Sequence, residues 1–374
     1  MTEFFKAYFP IVNASVGNQH DKIYYIDLFS GQGYYNDGTP STPIVLLDLV
    51  SQFKSEDIRR KLQVVLNDNT ASTYEKLCDA VNKHEVISKL TFKPLVLNKK
   101  ASEVPIDKYI SGNKPCFSFV DPFGYIDVSA DQIWTLVRNL GSDCVLFFNA
   151  NRILQDLGKQ SQEIYFSDIF GSELQTAKKI HQDTIISQQT KCEGFLKCFS
   201  KNLYETMNRD KSTKYKLFLL PFRFESDDRV TTSHYILFIS KSHKAIQEMK
   251  KVMLKFSTNT GENLSFDSKV QYQISFMHRE DNLSESIIEE IKKMIHMRQG
   301  IINESLTVTG LMEKLDSYSM LTQSHVLPYS LSEIQTAVEV LDKKGLVDIT
   351  AVPNMKKRIT QTREFRFSKN LLVD

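Results

Sequence analysis

Paired cysteines are the first thing this sequence lacks. Its five cysteines, at 78, 116, 144, 192 and 198, are odd in number and contain no CxxC pair. Neither a disulfide framework nor a zinc cluster is expected, and a reducing cytoplasm is the expected setting. No apolar run reaches the roughly 18 residues that a membrane span requires. The amino-terminal MTEFFKAYFP carries an acid and lacks the basic region, apolar stretch and small-residue cleavage site of a signal peptide, so no export signal is expected. An excess of one charge is missing too: 47 Lys and Arg stand against 45 Asp and Glu, a net charge of +2. A polyanion would therefore have to meet a local patch rather than the whole surface. Internal repeats and low-complexity tracts are absent, and His243, His278 and His296 lack metal-ligand spacing. What remains is a chain of 374 residues, 41% apolar and 25% charged, long enough for two or three domains around a proper core.

From Lys22 to about Ile239, short apolar runs alternate with longer helix-like segments, the pattern of βαβ units around a mostly parallel sheet. Strands are expected at 22–29 (KIYYIDLF), 62–67 (LQVVLN), 91–97 (TFKPLVL), 116–121 (CFSFVD) and 144–149 (CVLFFN). Two later strands, 216–224 and 232–240, are joined by a polar linker too short for a parallel crossover, so they are expected to be antiparallel. A helix begins near Pro43 with Ile44, Leu47 and Val50 on one face. A second, 129–140, takes Ser129 as N-cap, and a third, 242–256, takes Ser242. Residues 150–215 read as a helical insertion. Beyond Gly300 come a helical run at 307–316, a helix opening at Ser330 or Ser332 and stopping at Gly345, and the β-like runs VDIT and REFRFS. That order of helix, helix and ribbon predicts a winged-helix-like module. The expected units are an α/β Rossmann-like domain at 1–240, a helical extension at 241–300 and the winged-helix-like domain at 301–374.

The chemistry gathers at the expected strand ends. The first strand runs into Asp27-Leu28-Phe29-Ser30-Gly31-Gln32-Gly33. Glycines at 31 and 33 allow a tight turn that brings bare backbone N–H groups to a ligand. Asn36 stands where the dinucleotide fingerprint would need another glycine, and no phosphate-loop lysine follows. The second strand ends in Asn67-Asp68-Asn69, which puts a carboxylate where it can accept both hydroxyls of a ribose; a helix N-cap is the competing role for Asp68. Asn98, after the third strand, offers an amide to an adenine edge. The fourth strand ends in FSFVDPFGY, residues 117–125, where Asp121 is either a turn residue or the acceptor side of a reaction site.

This series of glycine-rich loop, acid, polar residue and Asp-Pro-aromatic resembles the class I S-adenosylmethionine-dependent methyltransferases. The resemblance implies cofactor contacts at Asp27, Phe29, Ser30, Gly31, Gly33, Asp68 and Asn98. In the amino-methyltransferase branch the acid and the proline carbonyl accept hydrogen bonds from the target amine, and an aromatic stacks on the base. By that resemblance Asp121 and Pro122 are the acceptors, and Phe123 or Tyr125 is the stacking platform. Phe123 occupies the place of the branch's second proline, which leaves the nature of the target atom open. A closer resemblance spans nearly the whole chain: YIDLFSGQG at 25–33, FVDPFG at 119–124, FFNAN at 147–151, a late strand with His234 and the winged-helix-like tail are similar to the three-Cys-motif partner family of bacteria and phages. It implies a methyltransferase-like fold, S-adenosylmethionine as cofactor and a radical-SAM-like three-cysteine protein as partner. It supplies no settled substrate.

Pro115-Cys116 also has the look of the Pro-Cys nucleophile of cytosine-C5 methyltransferases. Cys116 would open the fourth strand rather than follow it, so a buried, inert thiol is expected. His234, within an apolar strand, reads as a satisfied core histidine. For nucleic acid the best patch is Lys356, Lys357 and Arg358, followed by Arg363, Arg366 and Lys369 with Phe365 and Phe367 interleaved. On a ribbon this cluster suits phosphates while helix 331–344 meets a groove; a solvated charged face is the alternative. The function expected is methyl transfer to a nucleobase in DNA or RNA, with a catalytically silent nucleic-acid-binding or partner-docking scaffold as the other candidate.

Overall fold

The computed structural model describes residues 2–15, 19–123, 125–210, 216–225, 232–258, 264–266, 279–350 and 359–372. Eight strands form one sheet: β1 (Ile23–Asp27), β2 (Leu62–Asn67), β3 (Leu95–Leu97), β4 (Cys116–Val120), β5 (Asp143–Phe148), β6 (Phe218–Glu225), β7 (Thr232–Ser240) and β8 (Ser265–Phe266), in the order β3-β2-β1-β4-β5-β7-β6-β8. β1 to β5 pair in parallel, whereas β7 runs antiparallel to both β5 and β6. The parallel half is that of a doubly wound Rossmann-like sheet, whose order reverses between β1 and β4. With the antiparallel pair closing its far side, this is the Rossmann-like methyltransferase fold.

Every residue of β1 and β2 is buried, as expected for parallel strands covered on both faces. One face carries Tyr24, Ile26, Cys116, Val120, Cys144 and Leu146 under the helix Gln188–Arg209, which contributes Phe195, Phe199 and Leu203. The stretch that reads as an insertion thus supplies a covering layer of the sheet. The other face carries Tyr25, Val64, Phe117 and Val145 under the helices Thr42–Gln52 and Thr2–Ser15. In the latter, Phe4 and Phe5 set their rings 5.7 and 5.5 Å from Phe117, a packing role not evident in MTEFFKAYFP.

β3 is shorter than its apolar run. It is an edge strand entered through Pro94, which has no amide to donate to the ladder, and the carbonyl of Lys93 is held instead by the Gln63 amide at 3.0 Å. The helix at Ser129 has the capping box with Gln132 and ends at Val137, and Ser242 caps His243–Phe256. The helical run at 307–316 extends to Thr322, and Ser330, with Glu333, caps Leu331–Lys343.

The carboxy-terminal helices Arg279–Met297, Val308–Thr322 and Leu331–Lys343 share a separate core with an antiparallel pair, β9 (Val347–Ile349) and β10 (Phe365–Phe367). The basic run expected at the ribbon's tip, Lys356, Lys357 and Arg358, lies outside the described residues. These helices are fastened to the sheet half by a buried ion pair: Lys250 donates to both oxygens of Asp316, at 2.9 and 2.8 Å, with each side chain 1% exposed. His243 reaches the same carboxylate at 2.8 Å.

Candidate active site

The carboxyl ends of β1, β2, β3 and β4 lie side by side on one sheet edge, and each delivers one of the polar residues singled out above. Asp27 ends β1, fully buried; its Oδ1 accepts the Phe29 N–H at 3.0 Å and its Oδ2 the Tyr25 hydroxyl at 3.4 Å. Burial, with the neighbouring Asp121 carboxylate adding to it, lifts the Asp27 carboxyl to about 7.

The chain then turns through Gly31 and Gly33, at φ +67° and +88°, backbone territory that L side chains rarely adopt. The two glycines do different work. A Cβ on Gly31 would meet nothing within 4 Å, so its backbone faces open space; a Cβ on Gly33 would come within 2.9 Å of the Ala80 Cβ, because here the loop lies against the helix Ala71–Lys83. Asp68 Oδ2 accepts the Gly31 N–H at 3.2 Å while its Oδ1 accepts the Thr70 N–H at 2.9 Å. The N-cap of that helix is Thr70 and not Asp68; the Asp68 carboxylate instead bridges the glycine loop to the start of the helix, and two of its lone-pair positions remain for a ligand. The Asn98 amide donates to the Asp68 carbonyl at 2.9 Å, which fixes the side chain and leaves its oxygen as an acceptor.

Sequence reasoning passed over the residue that ties this edge together. Buried Asn67 donates to Leu28 O at 3.0 Å and Lys99 O at 2.9 Å, and its Oδ1 accepts the Lys99 N–H at 3.2 Å. Its backbone N–H donates to the Ser30 hydroxyl at 3.2 Å, and its carbonyl accepts the Ser30 N–H at 2.8 Å. An amide at the last position of a fully buried strand was the available signal, because an unpaired buried amide is costly.

At the end of β4, Asp121 is exposed and accepts no hydrogen bond from any described residue. Partial desolvation against the sheet edge raises its carboxyl to about 6. Pro122 is buried, Phe123 projects outward at 91% exposure, and Tyr125 turns inward. The Tyr125 ring stacks on Phe166 with centroids 4.3 Å apart, and its hydroxyl donates to Asp156 at 3.0 Å. Of the two aromatics considered as a platform, only Phe123 presents its face to solvent. Gly124 lies outside the described residues.

No family model matches the chain, and no curated protein matches it. Solved structures do. A Legionella pneumophila protein of family model DUF519 aligns over 68% of this chain and 90% of its own, at 10% identity and a TM-score of 0.39. The methyltransferase domain of bacterial CtHen1-C aligns over 63% of this chain and 98% of its own, at 13% identity and a TM-score of 0.30. The fold assignment stands on the strand order and switch point rather than on these distant likenesses.

Cys116 and His234 take structural positions. Cys116 is fully buried and burial drives its pKa well upward, the opposite of an activated nucleophile. His234 lies between Phe147 and Phe224, centroids 4.1 and 4.4 Å away, and burial lowers it to about 4. Among the described residues no cluster of His, Cys, Asp and Glu could hold a metal ion.

Proposed function

We propose that this chain is an S-adenosylmethionine-dependent methyltransferase acting on a nucleobase of DNA or RNA. The observation that carries the reading is the convergence of Gly31, Asp68, Asn98 and Asp121 on one edge of the sheet, with the Asp68 carboxylate already hydrogen-bonded to the glycine loop. The residues fit the cofactor. Open space beside Gly31 admits a ligand to bare backbone, Asp68 has lone pairs for ribose hydroxyls, and Asn98 keeps a free amide oxygen for a base edge. Asp27, Phe29, Ser30 and Gly33 hold the loop in that shape. Bound there, the sulfonium supplies an electrophilic methyl group.

The protein's own part is mostly positioning, which can account for a large share of a barrier. Asp121, without a hydrogen-bond partner among the described residues and ionised above a pH of about 6, accepts hydrogen from the target and orients its lone pair. The Pro122 carbonyl is the second acceptor, and Phe123 gives the base a face to stack on. In this reading Lys356, Lys357 and Arg358 contribute phosphate contacts, and a three-cysteine protein is the expected partner.

Isothermal titration should show S-adenosylmethionine or its demethylated product binding. Asp121→Ala should retain that affinity while methyl transfer falls by about 100-fold or more, read by mass spectrometry of nucleosides from cells with and without the gene. A wild-type chain that binds neither compound sinks the reading. One observation favours a silent scaffold instead: Tyr125, an aromatic of the FVDPFGY elbow, is spent in the core. On that view cofactor binding and all methyl marks are absent while nucleic acid or the partner is still bound.

A further inference from the structure

Between Gly33 and the helix Thr42–Gln52 the chain makes a short excursion held by several hydrogen bonds. Tyr34 bridges to Pro40, the Tyr35 N–H donates to Thr39 O at 2.8 Å, and the Gly38 N–H returns to Tyr35 O at 2.9 Å. Asp37 Oδ1 accepts the Thr39 N–H at 2.9 Å, and the Ser41 hydroxyl ties the base of the excursion to Gly33 O at 2.8 Å. An element this well built nonetheless presents its aromatic rings to water: Tyr34 is 41% exposed and Tyr35 61%. Two neighbouring tyrosines left uncovered forgo the stabilisation that burial would bring, and an ordered backbone holding them out points to a ligand.

Beneath the rings lies an open cleft of about 440 Å³, whose opposite wall is the helix Ala71–Lys83. Its polar groups besides the phenols are the amides of Gln32 and Asn36, bonded to each other at 3.3 Å, the ammonium groups of Lys76 and Lys83, the Asp79 carboxylate and the His84 imidazole, which is held by Asp48 at 3.0 Å. Lys83 is neutralised by Asp79 at 2.6 Å. Lys76 is not neutralised: it donates at 3.1 Å to the uncharged Gln32 oxygen and forms no ion pair with a described residue. Phenol faces, amide edges and one uncompensated cation in a volume of ligand size form the set that takes a nucleotide: rings stack on the base, amides read its edge and the ammonium meets a phosphate.

Position selects which nucleotide. Gln32 lies between Gly31 and Gly33, so the cleft adjoins the loop of the candidate active site, and Phe123 is a further exposed ring at that sheet edge. We infer that the Tyr34–Tyr35 cleft binds a nucleotide flanking the target base, so that the substrate is a single-stranded polynucleotide rather than a free nucleoside or a closed duplex. This inference rests on the nucleobase reading above.

The test is fluorescence anisotropy with labelled 12-nucleotide RNA and DNA single strands and the corresponding duplexes, alongside titration of S-adenosylmethionine. The double substitution Tyr34→Ala, Tyr35→Ala should weaken single-strand binding by about tenfold or more, while Tyr34→Phe, Tyr35→Phe should not. Lys76→Ala should lower the slope of log affinity against log salt by about one. All variants should keep wild-type affinity for S-adenosylmethionine. Alanine variants that bind single strands like wild type overturn the inference, as does a wild type that binds no oligonucleotide or prefers the duplex. Loss of S-adenosylmethionine affinity in the alanine variant also overturns it, because the excursion would then act only by shaping the loop. A wild type that binds single strands through these tyrosines but never binds S-adenosylmethionine removes the methyl-transfer reading and leaves the nucleotide cleft standing.

Discussion

Two glycines two residues apart show why residue type alone underdetermines a role. Gly31→Ala adds a methyl group to open space and costs little beyond the left-handed backbone, about 1–2 kcal/mol, whereas Gly33→Ala adds the collision with Ala80 and about 1–3 kcal/mol more. Urea midpoints of the two variants should rank accordingly. Asp143 makes a second prediction. It is fully buried against the Ser240 hydroxyl, and burial lifts its carboxyl to about 7. A folded-state value above the unfolded one near 4 means that the native state binds the proton more tightly, so this group lowers stability as pH rises from about 4 to about 7. Asp143→Asn should match wild type near pH 4 and exceed it by up to a few kcal/mol at pH 8, as urea unfolding at the two pH values would record.

The elbow after β4 depends on an element beyond its own chain segment. Asp156, in the helix Ala150–Asp156, is 3% exposed and accepts from the Tyr125 hydroxyl, from Arg152 at 2.8 Å and from Lys159 at 2.5 Å. These ion pairs and hydrogen bonds keep its carboxyl below the usual range despite its burial. With Pro122 buried on one side and Tyr125 anchored on the other, Phe123 and Asp121 are held at the edge. On the proposed methyl-transfer reading, Asp156→Ala and Tyr125→Phe should both reduce the turnover rate while leaving S-adenosylmethionine affinity unchanged, with the alanine variant the more impaired. Equal turnover in all three proteins would show that the elbow holds itself. Much of this scale was legible beforehand. The continuous apolar runs were strands, Ser129, Ser242 and Ser330 were caps, and the short link between β6 and β7 did produce an antiparallel pair. Tyr125 was not legible, because whether an aromatic after a strand turns in or out depends on Phe166 and Asp156, residues 41 and 31 positions away.

At the scale of the molecule, the carboxy-terminal helices are joined to the sheet half by polar contacts that local pattern does not disclose. Lys250 and Asp316 are each 1% exposed, and Asp316 also accepts the Leu327 N–H at 3.1 Å. Removing one partner strands a buried charge: Asp316→Ala should cost about 3–5 kcal/mol, while the paired change Lys250→Met, Asp316→Leu should cost far less. Thermal unfolding of the three proteins measures the difference. The Val326 N–H bonds to Leu219 O at 2.8 Å, so the segment before the helix Leu331–Lys343 is docked on β6 as well.

Periodicity and capping act over a few residues, and so the strands, the caps and the order of polar residues at the strand ends were readable from the amino acids alone. From that order followed a doubly wound sheet with Asp68, Asn98 and Asp121 after successive strands. Tertiary structure decided which of those groups are available. It put Asp27 in the interior and left Asp121 without a hydrogen-bond partner among the described residues, buried Tyr125 while exposing Phe123, and made Asn67 the joint of the edge. It also held Tyr34 and Tyr35 outward over a cleft. These outcomes come from packing and desolvation among residues far apart in the chain, and local patterns carry no record of such distances.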